Sequence, residues 1–166
     1  TLESLNYSID KALELGVQHI SAYSLMFEPD SKITKLMELN RLQPLDEDVA
    51  ADMFKLLSAR LTSAGYEQYE ISNYAKPGFY SRHNSGYWHG MRYLGLGPSA
   101  HSFDGEKRWY NIAHTIKYNN LLTSDKLDFK SEEVLTPDER FNELVFTALR
   151  TKIGLDLQDL RIRFGE

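Results

Sequence analysis

The sequence predicts an α/β fold that gives way to helices towards its C-terminal end. Three observations carry this. Two apolar runs, 17–25 and 66–71, flank a long amphipathic helix with tight joins. That is the pattern of a strand–helix–strand unit, with parallel strands and a right-handed crossover. From Ala113 onward, helical spacing and polar linkers replace the strand pattern. Finally, 166 residues that are 42% hydrophobic and 26% charged can bury a core in one domain or slightly more.

Local signals define each element. Leu2, Leu5, Ile9, Ala12 and Leu13 repeat at helical spacing over 2–15, with Thr1 placed to cap the helix and Gly16 to stop it. V-Q-H-I-S-A-Y-S-L, 17–25, reads as a buried strand, and a helix is expected around 33–42 before Pro44. Asp46 opens the strongest helix. Glu47 and Asp48 suit the positive end of its dipole, and Val49, Met53, Leu56, Leu57, Arg60 and Leu61 form its inner face before Gly65. Y-E-Q-Y-E-I, 66–71, is the second strand, breaking at Ser72 and Asn73. A short helix is expected over 81–89, a third strand over 92–96 and a hairpin at Asp104-Gly105. Ile116, Asn120 and Leu121 mark another helix, and 123–135 reads as a polar connection. Thr136-Pro137-Asp138-Glu139 is a capping box with proline at the first helical position, and Phe141, Leu144, Val145 and Ala148 continue that helix. Asp156 starts a last one carrying Leu157, Leu160 and Phe164.

Composition narrows the function classes. A net charge of −5 disfavours a general nucleic-acid binder, and in so acidic a chain the final helices, cut short, do not suit a helix-turn-helix. No apolar run approaches the length of a membrane span, and neither end resembles a signal or transit peptide. The chain has no cysteine, which excludes disulfides, cysteine nucleophiles and thiolate-held zinc or iron–sulfur sites within it and fits a cytosolic setting. The lack of an initiator Met and the ending on an amphipathic helix are what a piece of a longer protein is expected to show. Two or three parallel strands do not close an α/β barrel, so an unpaired sheet edge is expected, through which copies would self-associate.

The residues with chemistry to offer gather in 69–102. Aromatic faces with polar tips suit a flat, partly apolar ligand, and glycines admit close backbone approach. In His83-Asn84-Ser85-Gly86-Tyr87-Trp88, His83, Gly86 and Tyr87 share one helix side at i, i+3 and i+4 spacing. An imidazole is a natural neutral ligand for a haem iron, and Tyr and Trp can lie against a porphyrin plane. A surface histidine over packed Tyr and Trp explains the same residues. Gly95-Leu96-Gly97-Pro98-Ser99-Ala100-His101-Ser102 places G-x-G at a strand end, where backbone can approach a phosphate or nucleoside. The third glycine and following helix of a dinucleotide fingerprint are missing, so a Rossmann reading fails. His101 could face the mouth of a barrel, and a plain strand-end turn accounts for the segment equally well. Ser21, Tyr23 and Ser24 are small or polar where an apolar strand is expected, which points either to a ligand-facing surface or to core groups satisfied by neighbours. Glu67, Glu70 and the acidic run 46–48 read as solvated or capping, and His19, His89 and His114 share no ligand spacing.

Four motifs in order carry a resemblance: I-S-A-Y-S-L-M-F-E-P at 20–29, G-Y-E-Q-Y-E-I-S-N-Y-A-K-P-G at 65–78, H-N-S-G-Y-W followed by Y-L-G-L-G-P-S-A-H-S at 83–102, and L-T-P-D-E-R-F-N-E-L-V-F-T-A-L-R-T-K-I-G-L-D-L at 135–157. In these the chain resembles the oxygen-independent coproporphyrinogen III oxidase-like radical S-adenosylmethionine family, and within it the HemW-type haem chaperone branch. The resemblance implies a cytoplasmic protein. Residues 1–112 would be the C-terminal part of a partial (β/α) barrel, and 113–166 the beginning of an all-helical C-terminal domain, cut short. It also implies a 4Fe–4S cluster, held by C-x-x-x-C-x-x-C, with S-adenosylmethionine at the barrel mouth. Those cysteines are absent here, so this chain alone is expected to be inactive in reductive cofactor cleavage. By matching position, Ser21 and Ser24, and with them Gly95 and Gly97, fall beside S-adenosylmethionine. His83, Asn84, Tyr87 and Trp88 fall at the tetrapyrrole, His83 as axial or covalent ligand. His101 stands where the oxidase branch has an aliphatic residue near cofactor and substrate, which favours binding over decarboxylation. The expected function is therefore that of a haem-binding chaperone delivering haem to an acceptor protein. One alternative is a coproporphyrinogen III oxidase, which turns propionates into vinyls in porphyrin biosynthesis. The other is a non-catalytic structural or protein-interaction module.

Overall fold

The structure, a computed structural model, describes residues 1–29, 31–124 and 130–165, and divides into two compact units, Thr1–Ser81 and Arg82–Glu166. The first contains α1 (Leu2–Glu14), β1 (His19–Ser21), α2 (Lys32–Glu38), α3 (Glu47–Ser63), β2 (Glu67–Gln68) and β3 (Asn73–Ala75). Its helices begin where their caps predict. The Thr1 hydroxyl accepts the Ser4 N–H, and the Asp46 carboxylate accepts those of Asp48 and Val49. Gly16 and Gly65 follow α1 and α3 in the left-handed region. The apolar faces of these two helices supply Ile9 and Leu61 to a core closed by Tyr66 and Tyr74, with Leu5, Leu13, Ile20, Leu56 and Leu57 packed around it. Arg60 bonds both Asn6 and Asp10 of α1, so its charge is used as well as its stem.

The expected parallel pair is present but not adjacent. The strand order is β1-β3-β2, and both β1 and β2 run antiparallel to β3: Ile20 and Gln68 each face Tyr74. β1 and β2 are therefore parallel to each other with β3 between them. The expected strand 66–71 stops at Gln68 because the chain turns. Tyr69 N–H donates to the Asn73 carbonyl, and the Glu70 carboxylate accepts the Ser72 N–H at 3.0 Å. Asn73–Ala75 then returns as a fully buried strand where the sequence suggests a break. The expected strand 17–25 likewise shortens to three residues, β1.

The second unit contains α4 (Arg82–Trp88), β4 (His101–Phe103), β5 (Lys107–Asn111), α5 (Thr115–Thr123), β6 (Lys130–Val134), α6 (Pro137–Ala148) and α7 (Leu157–Phe164). α6 has the predicted capping box, with the Thr136 hydroxyl and Glu139 carboxylate bonded reciprocally to backbone. The third strand expected over 92–96 is a single bridge, Tyr93 to Phe103. Beyond it the Ser102 hydroxyl takes the Gly95 N–H at 2.9 Å, so no further backbone rung forms there. Part of the expected connection 123–135 is β6, which pairs along the whole of β5. Residues 125–129 of that connection lie outside the described residues. The charges of β6 are used across the sheet: Glu133 lies 3.8 Å from Arg108, and the Lys130 ammonium lies 5.6 Å from the centre of the Trp109 ring.

The β4–β5 hairpin turns at Asp104, whose carboxylate accepts the Lys107 and Glu106 N–H groups. These backbone bonds, Lys107 first, hold its carboxyl below the usual range. A carboxyl depressed in the folded state contributes stability above its unfolded pKa of about 4 and loses it as pH falls through the folded value. Asp104→Ala should therefore lower the urea midpoint at neutral pH, and its gap to the unsubstituted chain should close as the solution is acidified.

Candidate functional site

Residues His83 to Trp88 form most of α4, and the way that helix ends shapes its surface. Gly90 is in the left-handed conformation, Met91 N–H donates to the Gly86 carbonyl at 2.9 Å and Gly90 N–H to the Tyr87 carbonyl at 3.2 Å. This paired pattern is a Schellman stop, which brings the residue after the glycine back over the last turn. The Met91 side chain accordingly lies on Gly86, its sulfur 3.2 Å from where a Cβ would stand.

Of the predicted site residues of α4, His83 and Tyr87 come together in a row of rings, and Tyr87 and Trp88, but not His83, are among the described residues lining a cleft. The exposed His83 imidazole meets Tyr87 edge-on at 5.0 Å, Tyr87 meets Tyr93 at 4.8 Å, and Tyr93 leans on Phe103 at 6.1 Å. Arg108 lies over Phe103 and pairs with Glu143. Burial works against the Arg108 charge, but the Glu143 carboxylate holds its pKa above the ordinary value. Tyr87, Trp88, Met91 and Tyr93 form one wall of an open cleft of about 900 Å³, and Leu144, Ile153 and Phe164 are among the residues opposite. That is large enough for a sizeable organic ligand. The Trp88 ring lies 5.7 Å from the Arg150 guanidinium, and its buried indole nitrogen has no hydrogen-bond partner among the described residues. Asn84 is half-buried on the same helix.

The 95–102 segment is pinned to its own unit. A Cβ on Gly95 would stand 2.1 Å from the His101 carbonyl oxygen, so only glycine fits. The Asn111 amide donates to the Gly97 carbonyl at 2.8 Å, and Gly97 N–H donates to the Tyr118 hydroxyl at 3.3 Å. Ser102, Asn111 and Tyr118 are all buried; Ser102 stands in the segment the sequence singles out, and sequence reasoning missed the other two. Asn111 and Tyr118 lie 14 and 21 residues from Gly97, so no local signal pointed to them. His101 lies on β4 with its ring 5.3 Å from Tyr110, and is not among the described residues lining the cleft.

In the first unit, the Ser21 hydroxyl donates to Asn73 Oδ1 at 2.5 Å, while Ser24 and Tyr23 are exposed in the irregular chain after β1. His19 bonds Tyr69 at 2.8 Å, and Tyr69 stacks on Tyr80 at 4.6 Å. Glu70 is only 4% exposed and serves the β2–β3 turn, a capping role as the sequence suggests. His89 returns its Nδ1 to the Ser85 carbonyl, and His114 accepts the Lys117 N–H at the start of α5.

With this geometry in hand, known proteins can be compared. No family model matches the chain. It is 37% identical over 158 residues to the heme chaperone HemW of Mycobacterium tuberculosis, an alignment covering 95% of this chain and 40% of that protein. To the HemW of Bacillus subtilis it is 33% identical, over 99% of this chain and 44% of the relative. Over nearly all of its own length the chain is similar to HemW proteins. It spans less than half the length of these HemW relatives. Its fold matches a solved coproporphyrinogen III oxidase (HemN) from Escherichia coli, a radical SAM enzyme, with a TM-score of 0.74 over all of this chain and 41% of that one, at 18% identity. The fold is thus the α/β one expected, matching the C-terminal part of a radical SAM barrel with its helical domain. The residues present do not fit an iron–sulfur cluster. The chain has no cysteine, and among the described residues no group of three His, Asp or Glu side chains is placed to hold a metal ion.

Gly95→Ala should lower stability by about 2 kcal/mol, as overpacking against fixed backbone does. Urea denaturation followed by tryptophan fluorescence checks this; an unchanged midpoint would mean that the 95–102 segment is free to shift.

Proposed function

We propose that this chain is part of a haem-binding chaperone and that α4 carries the haem. The observation that supports the reading most is the identity to heme chaperones over nearly the whole chain. The geometry of α4 fits it. His83 is exposed and offers an imidazole nitrogen to iron, while Tyr87 stands edge-on to the ring. Tyr87 and Trp88 supply aromatic wall for the macrocycle, and Asn84 sits half-buried on the same helix. In the full-length protein, S-adenosylmethionine and a 4Fe–4S cluster belong to the same reading. The cluster thiolates would have to come from outside this chain. The cargo passes to a haem-accepting protein in the cytoplasm. The likeness to coproporphyrinogen III oxidase is one of fold and supplies no reaction.

A haem titration followed by visible absorbance, on this chain and on His83→Ala, tests the reading. The expected result is a Soret shift in the unsubstituted chain whose affinity falls by about tenfold or more, some 1.4 kcal/mol, in His83→Ala. Equal binding by both would remove His83 from the site, and no shift in either would overturn haem binding by this chain.

A further inference from the structure

Trp88 and Arg150 stand together with hydrogen-bond donors that nothing in the fold takes up. The Arg150 guanidinium, just past the end of α6, lies 5.7 Å from the centre of the Trp88 ring and 5.1 Å from that of Phe146. A ring face attracts a flat guanidinium but takes none of its N–H groups, which leave in the plane of the fork. Among the described residues no carboxylate pairs with Arg150. The other half-buried arginines there, Arg60 and Arg108, hold Asp10 and Glu143. The buried indole N–H of Trp88 also lacks a partner among the described residues, whereas buried donors in folded chains nearly always have one. Arginine and the indole nitrogen are donors only, so the two cannot satisfy each other.

The position of the pair says where the missing oxygen belongs. Trp88 lines the cleft, as do Thr147 and Thr151 on either side of Arg150, while Arg150 is not among the described lining residues. A group bound to the guanidinium therefore sits at the edge of a ligand that fills the cleft, not at its centre. We propose that Arg150, held against Trp88, binds a propionate carboxylate on the edge of the haem macrocycle; the proposal rests on the haem-binding reading above. A carboxylate matches the guanidinium fork with two parallel N–H···O bonds. Haem is a flat apolar ring that carries two such groups on one edge, so the ring can lie on aromatic wall while a carboxylate meets Arg150. Arg150 then decides which edge of the ring is bound, a choice that aromatic contacts alone do not make.

The test compares ferric haem with its dimethyl ester, which differs only in those carboxylates. Both are titrated into the unsubstituted chain and into Arg150→Met, which keeps an apolar stem on the rings and removes the charge. The unsubstituted chain should bind haem about tenfold more tightly than the ester. Arg150→Met should bind both only as tightly as the unsubstituted chain binds the ester, and that unchanged ester affinity shows the fold and the aromatic wall intact. Arg150→Lys, with the charge but without the fork, should recover part of the preference. Equal binding of haem and ester by the unsubstituted chain, or a preference for haem that survives in Arg150→Met, would overturn the role of Arg150 and leave haem binding standing. An equal loss of haem and ester in Arg150→Met would reduce Arg150 to a structural prop and overturn it likewise. Failure of the unsubstituted chain to bind either would overturn both readings.

Discussion

The second unit depends on a backbone contact that only a hydrogen atom allows. At Gly95 the His101 carbonyl comes so close that a Cβ would overlap it. Because the chain meets itself there, the Ser102 hydroxyl can reach the Gly95 N–H and the Asn111 amide can reach the Gly97 carbonyl. Beside that contact Tyr93 and Phe103 exchange backbone bonds at 2.9 Å in both directions. Tyr93 is the ring on which Tyr87 rests, and Tyr87 is the ring that meets His83 edge-on. The placement of the imidazole on α4 thus follows, ring by ring, from a glycine twelve positions later in the chain.

The charges near the cleft are largely spent on one another. Arg108 is paired with Glu143 and lies near Glu133, and Arg163 is paired with Asp159 at 2.9 Å. What α4 and its neighbours offer a ligand is aromatic surface and an imidazole. That chemistry suits a flat, metal-bearing macrocycle better than a phosphate or a nucleic acid.

How much was legible in the sequence depended on where each signal resides. The caps at Thr1, Asp46, Thr136 and Asp156 are written in neighbouring residues, and the helices they open begin where expected. β3 was invisible because Asn73, Tyr74 and Ala75 have no strand pattern of their own; they are extended because β1 and β2 pair with them on both sides. β6 read as a linker because Lys130, Glu132 and Glu133 are charged, and charge on a strand makes sense only once its partner is known. The H-N-S-G-Y-W segment stood out by composition, and its His83 and Tyr87 rings do join one row, while Trp88 lies under Arg150 instead. The place of Met91 could not be read, since it follows from the geometry of the helix stop and from the missing side chain at Gly86.

The account's central claim is that the cargo is held on α4. Titrating the isotope-labelled chain with gallium protoporphyrin, a diamagnetic stand-in for haem, and following amide shifts by NMR tests that most directly. The account predicts that the largest shifts fall within 82–93, on α4 and the turn that carries Met91. Shifts confined to the first unit, or spread evenly over the chain, would contradict it.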